Sequence, residues 1–305
     1  MQRALLYTGL LVIIVCACHS TDKKIFSWKV PDTALIPATD EGRLIRYGRD
    51  LIANTSHYLG PKGTIAVLSN GMNCQNCHLD AGTRLWGNNY SAVFSTYPKF
   101  RDRSGTTETI QRRVNDCIER SLNGHPLDTN SVEMKAILAY MQWLGQDVPK
   151  GTKPQGAGIR DLPFLERAAD TARGHMVYLQ TCQRCHGAEG SGLFNKDSTA
   201  YVYPPLWGDH SFNTGAGLYR ISRLAGYVKE IMPFDRPRNA PQLTDEEAWD
   251  VAAFVNSRQR PEKAFPNDWP NIAKKPYDHP FGPYADSFTP LQHKFGPFKP
   301  IQRAH

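Results

Sequence analysis

Residues 74–78 and 182–186 share the pattern Cys-x-x-Cys-His. Two intervening residues let both thiols reach adjacent vinyl groups of a porphyrin, and the following His can then ligate the iron. A four-thiolate zinc site or thioredoxin-like redox pairs would use the same cysteines, but neither needs a His after both pairs. The spacing therefore indicates a dihaem cytochrome c, with two covalently bound haem c groups. The residues that this assigns are Cys74, Cys77 and His78 for the first haem and Cys182, Cys185 and His186 for the second.

The second haem needs a further iron ligand, and Met232 is the candidate. It lies between the haem motif and the predicted closing helix, where a small cytochrome c usually supplies its distal ligand. A thioether there raises the iron potential. His210 is the competing ligand, and a Met packed in the core is the structural alternative.

The first half has no Met in the corresponding place, since Met134 and Met141 fall on an apolar helix face. The donors between residues 79 and 130 are Cys117, His125 and Lys99. Neighbouring arginines (Arg112, Arg113 and Arg120) would lower the pKa of the Cys117 thiol and favour its thiolate form, which binds iron. A free thiol in an oxidising compartment is either buried as a small hydrophobic group or has a function, so both readings of Cys117 stay open here.

The N-terminus predicts export. An apolar run at residues 4–15 follows Arg3 and is too short to span a bilayer permanently. Residues 15–18, Val-Cys-Ala-Cys, resemble a lipoprotein signal, so we expect a signal peptide at residues 1–18 and lipid attachment at Cys18. This predicts a periplasmic lipoprotein, anchored to a membrane through Cys18. The alternative is ordinary signal cleavage nearby.

The composition limits the kinds of binding partner to expect. The formal net charge is +7, without a long run of Lys and Arg. This argues against a nucleic-acid partner and fits a small anion or an acidic redox protein.

The chain predicts a mainly α fold with two similar halves and a tail. The expected helices lie near residues 41–59, 131–144, 170–179 and 245–257, with Asn130 and Glu133 capping the second and Thr244 and Glu247 the fourth. We place a first cytochrome c domain at 31–149, a Pro/Gly-rich linker at 150–160, a second domain at 161–262 and a tail at 263–305. The tail is rich in Pro and aromatic residues and predicts extended chain over the domains.

Several segments resemble the dihaem thiosulfate dehydrogenases in order and spacing: residues 71–83, 117–124, 203–208, 211–217 and 232–233. The resemblance implies two class I cytochrome c domains in tandem, with catalysis at the first haem and Cys117 as its second axial ligand. The family's anion-binding residues would fall on Arg103 and Arg113, with Ser121 close by. Some members carry a Lys before the distal Met, and here Ile231 implies constant ligation by His186 and Met232.

The same resemblance implies that two thiosulfates are coupled to tetrathionate, in a reaction that some members run backwards. Electrons would pass from the first haem to the second and then to a soluble or membrane-linked carrier. The main alternative is a dihaem electron carrier without a substrate of its own, in which Cys117 is structural. A dihaem peroxidase fits less well, because both halves resemble small cytochromes with the distal side filled.

Overall fold

The computed structural model describes residues 26–236 and 242–305. The predicted signal segment, with Cys16 and Cys18, lies outside these ranges. Within them, no helix combines the length and the apolar character needed to cross a bilayer.

Helices dominate the described chain, and the predicted mainly α class is confirmed. The first half contains α1 (Asp40–Ala53), α2 (Thr55–Leu59), α3 (Leu79–Gly82), α4 (Val93–Thr96), α5 (Ile110–Arg120) and α6 (Val132–Leu144). The second half contains α7 (Thr171–Val177), α8 (Gln183–His186), α9 (Ile221–Ile231) and α10 (Asp245–Ser257). Two short antiparallel hairpins complete the fold, β1 (Lys99–Arg101) with β2 (Thr106–Glu108), and β3 (Leu193–Phe194) with β4 (Tyr201–Tyr203).

The helix starts show how local hydrogen bonds set the boundaries. Helix α6 begins after Ser131, whose hydroxyl accepts from the backbone N–H of Met134 at 3.1 Å, so the predicted cap at Asn130 is wrong. Helix α10 begins with the predicted capping box: Thr244 accepts from Glu247 N, and the Glu247 carboxylate accepts from Thr244 N.

Each half is built on a pair of helices that cross at a glycine. Helix α1 packs on α6, where a Cβ added to Gly48 would lie 1.9 Å from the carbonyl oxygen of Ala136. Helix α7 packs on α10 in the same way, and a Cβ added to Gly174 would lie 1.9 Å from the carbonyl oxygen of Asp250. Only glycine permits such a close backbone approach. The repeated crossing gives both halves the same frame around their haem motifs.

The tail is less extended than the sequence predicts. It ends in two short helices, α11 (Pro290–Phe295) and α12 (Phe298–Ala304). Phe298 and Ile301 of α12 are buried in the hydrophobic core of the second half. Their apolar pattern covers less than two helical turns, too little for sequence periodicity to reveal.

Candidate functional site

The first haem motif opens onto a cavity of about 280 Å³, lined by Cys74, Cys77, His78 and Cys117 among others. The His78 Nδ1 atom lies 2.5 Å from the carbonyl oxygen of Asn88. A carbonyl can only accept, so Nδ1 carries the proton and Nε2 is left with a free lone pair. That tautomer is the one an iron ligand requires.

Cys117 reaches this cavity from α5, which Thr109 caps by accepting from the backbone N–H of Arg112. Its Sγ atom accepts a hydrogen bond from Arg113 Nη1 at 2.9 Å. Burial raises the pKa of the Cys117 thiol, but two effects outweigh it: the Arg113 charge and, while no iron is bound, a proton on His78 Nε2 that is donated to the sulfur. The pKa therefore falls from 9.0 to about 6. The thiol thus faces His78 and is largely a thiolate at neutral pH.

The predicted anion-binding residues are divided between two cavities. Arg113 and Ser121 line the cavity that holds Cys117. Arg103 lines a separate cavity under the tail, where its guanidinium lies 5.7 Å from the Trp269 ring and its carbonyl accepts from Trp269 N at 2.6 Å. Arg113 and Ser121 thus share a cavity with Cys117, whereas Arg103 lines the neighbouring one, where burial and the charges of Arg120 and Arg113 lower its pKa. The roles of all three remain predictions.

Three further cations line the Cys117 cavity: Lys99, Arg101 and Lys153. With Arg113 they form a set of four, which we call the cationic cluster. None of the described residues that line this cavity is acidic. The sequence offered Lys99 only as an iron ligand and gave no signal for the other two, because the hairpin and the linker meet only in the folded chain. His125, the other alternative ligand, does not line the cavity.

The second haem motif opens onto a cavity of about 480 Å³, lined by Cys182, Cys185, His186 and Met232. His186 Nδ1 lies 2.8 Å from the carbonyl oxygen of Pro204, which again leaves Nε2 free. Met232 directly follows α9. Ile231 is buried beside Tyr227, and the competing ligand His210 is not among the residues that line the cavity.

The two cavities share a wall. Cys77 lines both, and Met72 and Asn76 of the first half line the second cavity. The buried Tyr227 of α9 donates its hydroxyl to the carbonyl oxygen of Asn76 at 3.3 Å. One helix therefore carries Met232 at its end and contacts the first haem motif along its length.

The lining residues fit two haem c groups. Each cavity presents two thiols for thioether bonds, a His with Nε2 free for iron, and a sulfur atom as a candidate distal ligand. The apolar remainder of each lining suits a porphyrin face.

Comparison with known proteins agrees with this arrangement. Residues 66–149 match the family model described as SoxA/TsdA, cytochrome c domain. Residues 169–255 match the model described as cytochrome C oxidase, cbb3-type, subunit III. The chain thus contains two cytochrome c domains in tandem and carries two covalently bound haem c groups.

The chain is similar to curated thiosulfate dehydrogenases. It is 40% identical over 245 residues to one from Psychrobacter arcticus, covering 80% of this chain and 72% of the relative. It is 38% identical over 255 residues to one from Allochromatium vinosum, covering 82% of this chain and 91% of the relative.

A solved structure supports the same relationship. The thiosulfate dehydrogenase (TsdBA) from Marichromatium purpuratum aligns with a TM-score of 0.72 at 31% identity. The alignment covers 82% of this chain and 51% of that one, so this chain spans about half of the longer protein. Taken with the two haem sites, these similarities show that the chain belongs to the thiosulfate dehydrogenase family of dihaem oxidoreductases.

Proposed function

We propose that the protein couples two thiosulfate dianions to tetrathionate in the cavity that holds Cys117. In this reaction two S₂O₃²⁻ ions form S₄O₆²⁻ and release two electrons, and the reverse reaction uses the same site. The observation that carries the proposal is the pairing of Cys117 and His78 in a cavity lined by four cations and no acid.

Charge explains why such a cavity suits this substrate. Two dianions repel each other strongly at bonding distance, and the repulsion grows where water is excluded. The four cations of the cluster lower this repulsion, Lys99 and Lys153 most directly, because Arg113 also faces the Cys117 thiolate and Arg101 the Glu108 carboxylate. A neutral or acidic cavity would instead add to the barrier.

The chain's own residues have distinct tasks. Arg113 stabilises the Cys117 thiolate through Nη1, and its remaining N–H groups can bind a sulfonate oxygen. The Ser121 hydroxyl, on the same cavity wall, can donate to that anion. Cys74, Cys77 and His78 would hold the first haem and Cys182, Cys185 and His186 the second, and the two groups would supply one-electron acceptors on the route to an external carrier. The shared wall at Cys77 keeps the two sites close.

We also infer that the protein works outside the cytoplasm as a lipoprotein held through Cys18. Haem c attachment and the apolar leader at residues 4–15 support this. Mass spectrometry of the mature N-terminus tests it, since a lipid-modified Cys18 is expected as the first residue.

The proposed reaction is tested with purified holoprotein, thiosulfate and ferricyanide under argon. We expect one tetrathionate for every two ferricyanide ions reduced. A second assay offers tetrathionate and a reduced viologen dye to measure the reverse reaction. A dihaem carrier without its own substrate would form no tetrathionate in the first assay and consume none in the second.

A further inference from the structure

The cationic cluster divides by what its members already contact. Arg113 binds Cys117, while Arg101 donates Nη1 to Tyr97 Oη at 2.9 Å and lies 3.7 Å from the Glu108 carboxylate. Lys99 and Lys153, in contrast, form no ion pair and no side-chain hydrogen bond with any residue in the described ranges. Lys99 Nζ lies 5.3 Å from the centre of the Tyr97 ring. Two of the four charges therefore have no anionic partner among the described residues.

Hydrogen bonds tie the segment before Lys153 to α4, the helix that precedes Lys99 in the chain. The N–H of Gly151 donates to the carbonyl oxygen of Ser95 at 2.8 Å, and Ser95 Oγ donates to the carbonyl oxygen of Thr152 at 2.7 Å. The segment before Lys153 is thereby fixed to the end of α4. Lys99 opens β1, three residues after Thr96 ends α4. Residues far apart in sequence thus present two ammonium groups to one cavity.

We propose that Lys99 and Lys153 bind the second of the two thiosulfate dianions, opposite the first at Arg113 and Ser121. This inference rests on the proposed function. The terminal sulfurs of the two anions form the new S–S bond, no other bond breaks, and each anion loses one electron to the haem irons. No proton is transferred in this step. A lysine is a compact point charge without fork geometry, which suits an anion that must shift to form the product.

Mutual repulsion within the cluster supports this role. Burial lowers the pKa of Lys99, and so do the charges of the three other members. A dianion between Lys99 and Lys153 would relieve that repulsion. The Glu108 carboxylate acts in the opposite direction on Lys99, but Arg101 is its closer partner.

The kinetic test compares Lys99→Gln and Lys153→Gln with the matched control Lys62→Gln. Lys62 is an exposed lysine that lines neither haem cavity. We expect the KM for thiosulfate to rise about tenfold in each cavity variant. This is the lower end of the range expected when a charge-assisted hydrogen bond is lost. The control should keep its KM, and all three should keep two haems. Lys99→Arg and Lys153→Arg should recover part of the loss. An unchanged KM in both Gln variants would overturn the inference.

A binding measurement separates this inference from the proposed reaction. Fully reduced holoprotein, kept anaerobic, cannot accept electrons, so calorimetry with thiosulfate reports binding alone. We expect two thiosulfates per wild-type chain and one in the Lys99→Gln/Lys153→Gln double variant. Two bound anions in the double variant would refute the inference, whatever the turnover. If wild type binds two thiosulfates and the double variant one, but the wild type forms no tetrathionate, the proposed function would be refuted and the lysine site supported.

Discussion

At the scale of single residues, the site depends on a four-residue spacing on one helix. Arg113 and Cys117 are one turn apart on α5, so their side chains lie on the same face. The helix holds the guanidinium 2.9 Å from the sulfur without needing any distant contact. A charged hydrogen-bond donor in a buried cavity stabilises the thiolate more strongly than it would in water.

Cys117→Ala should lower thiosulfate oxidation by roughly a hundredfold or more, because it removes the sulfur that faces His78. Both haems should remain attached, since the four thioether cysteines are unchanged. Electron paramagnetic resonance of the oxidised protein should show a thiolate-ligated low-spin signal that disappears in the variant. The His/Met signal of the second haem serves as the internal control. An identical spectrum in the variant would exclude Cys117 as an iron ligand and favour the carrier hypothesis.

The activity should also fall as pH drops through about 6. The pKa of Cys117 is lowered to about 6, so the thiolate persists above that value and is protonated below it. Iron competes with the proton for the thiolate, which places the acid limb at or below this pH. Arg113→Ala removes the largest contribution that lowers the pKa of Cys117, so its acid limb should move to higher pH. A pH–rate profile that is the same in wild type and Arg113→Ala would contradict this account.

At the scale of elements, the sequence predicts those helices and motifs whose signals lie within a short stretch of chain. Apolar periodicity located α6 and α10, a capping box marked the start of α10, and the spacing of the haem motifs predicted the attachment residues. Helix α9 was missed, because no element was predicted between the second haem motif and Met232. Lys153 was not found either, since its approach to the cavity depends on hydrogen bonds from α4 to the linker. Arg103 followed from resemblance alone, and its placement beside Trp269 depends on the folded tail.

The tail also holds the helix that carries Cys117. Arg120, the last residue of α5, donates Nη1 and Nη2 to the two carboxylate oxygens of Asp268, each at 2.7 Å. The Arg120 side chain is 6% exposed and that of Asp268 is 20% exposed. Removing one partner of such a buried pair leaves an uncompensated charge.

Arg120→Leu and Asp268→Leu should therefore each lower the free energy of unfolding by about 3 kcal/mol. The double variant should lose less than the sum, since neither charge of the pair remains without the other, and Asp116, which also contacts Arg120, keeps Arg112 at 3.6 Å. Urea unfolding of the holoprotein measures all three. The matched control is Asp235→Ala, which breaks the ion pair with Arg184. The Asp235 side chain is 57% exposed and that of Arg184 is 48% exposed. The expected loss in the free energy of unfolding is therefore below about 1 kcal/mol. Additive losses at Arg120 and Asp268 would show that the pair is not coupled.

At the scale of the whole molecule, the two halves contact each other beyond the wall that separates the two haem cavities. Asn213 is fully buried, and its Nδ2 donates to the carbonyl oxygen of Glu119 at 2.8 Å. Three aromatic residues of the second half, Tyr201, Phe212 and Tyr219, belong to the hydrophobic core of the first. The proposed boundaries at 149 and 161 therefore separate two haem-binding frames that remain packed against each other.

A fragment of residues 160–305 should still attach one haem and give a reversible His/Met redox couple. Its frame of α7, α9 and α10 and the core around Tyr178 and Trp249 lie within it. It should be less stable than the full chain, because the aromatic residues that belong to the first core become exposed to water. A fragment of residues 160–262 should be less stable again, since it also lacks the buried Phe298 and Ile301 of α12. Haem content after expression in a cell that matures cytochromes c, cyclic voltammetry and thermal unfolding measure these differences. If the longer fragment never acquires haem, the halves form one cooperative unit, and the proposed linker at 150–160 does not separate two domains.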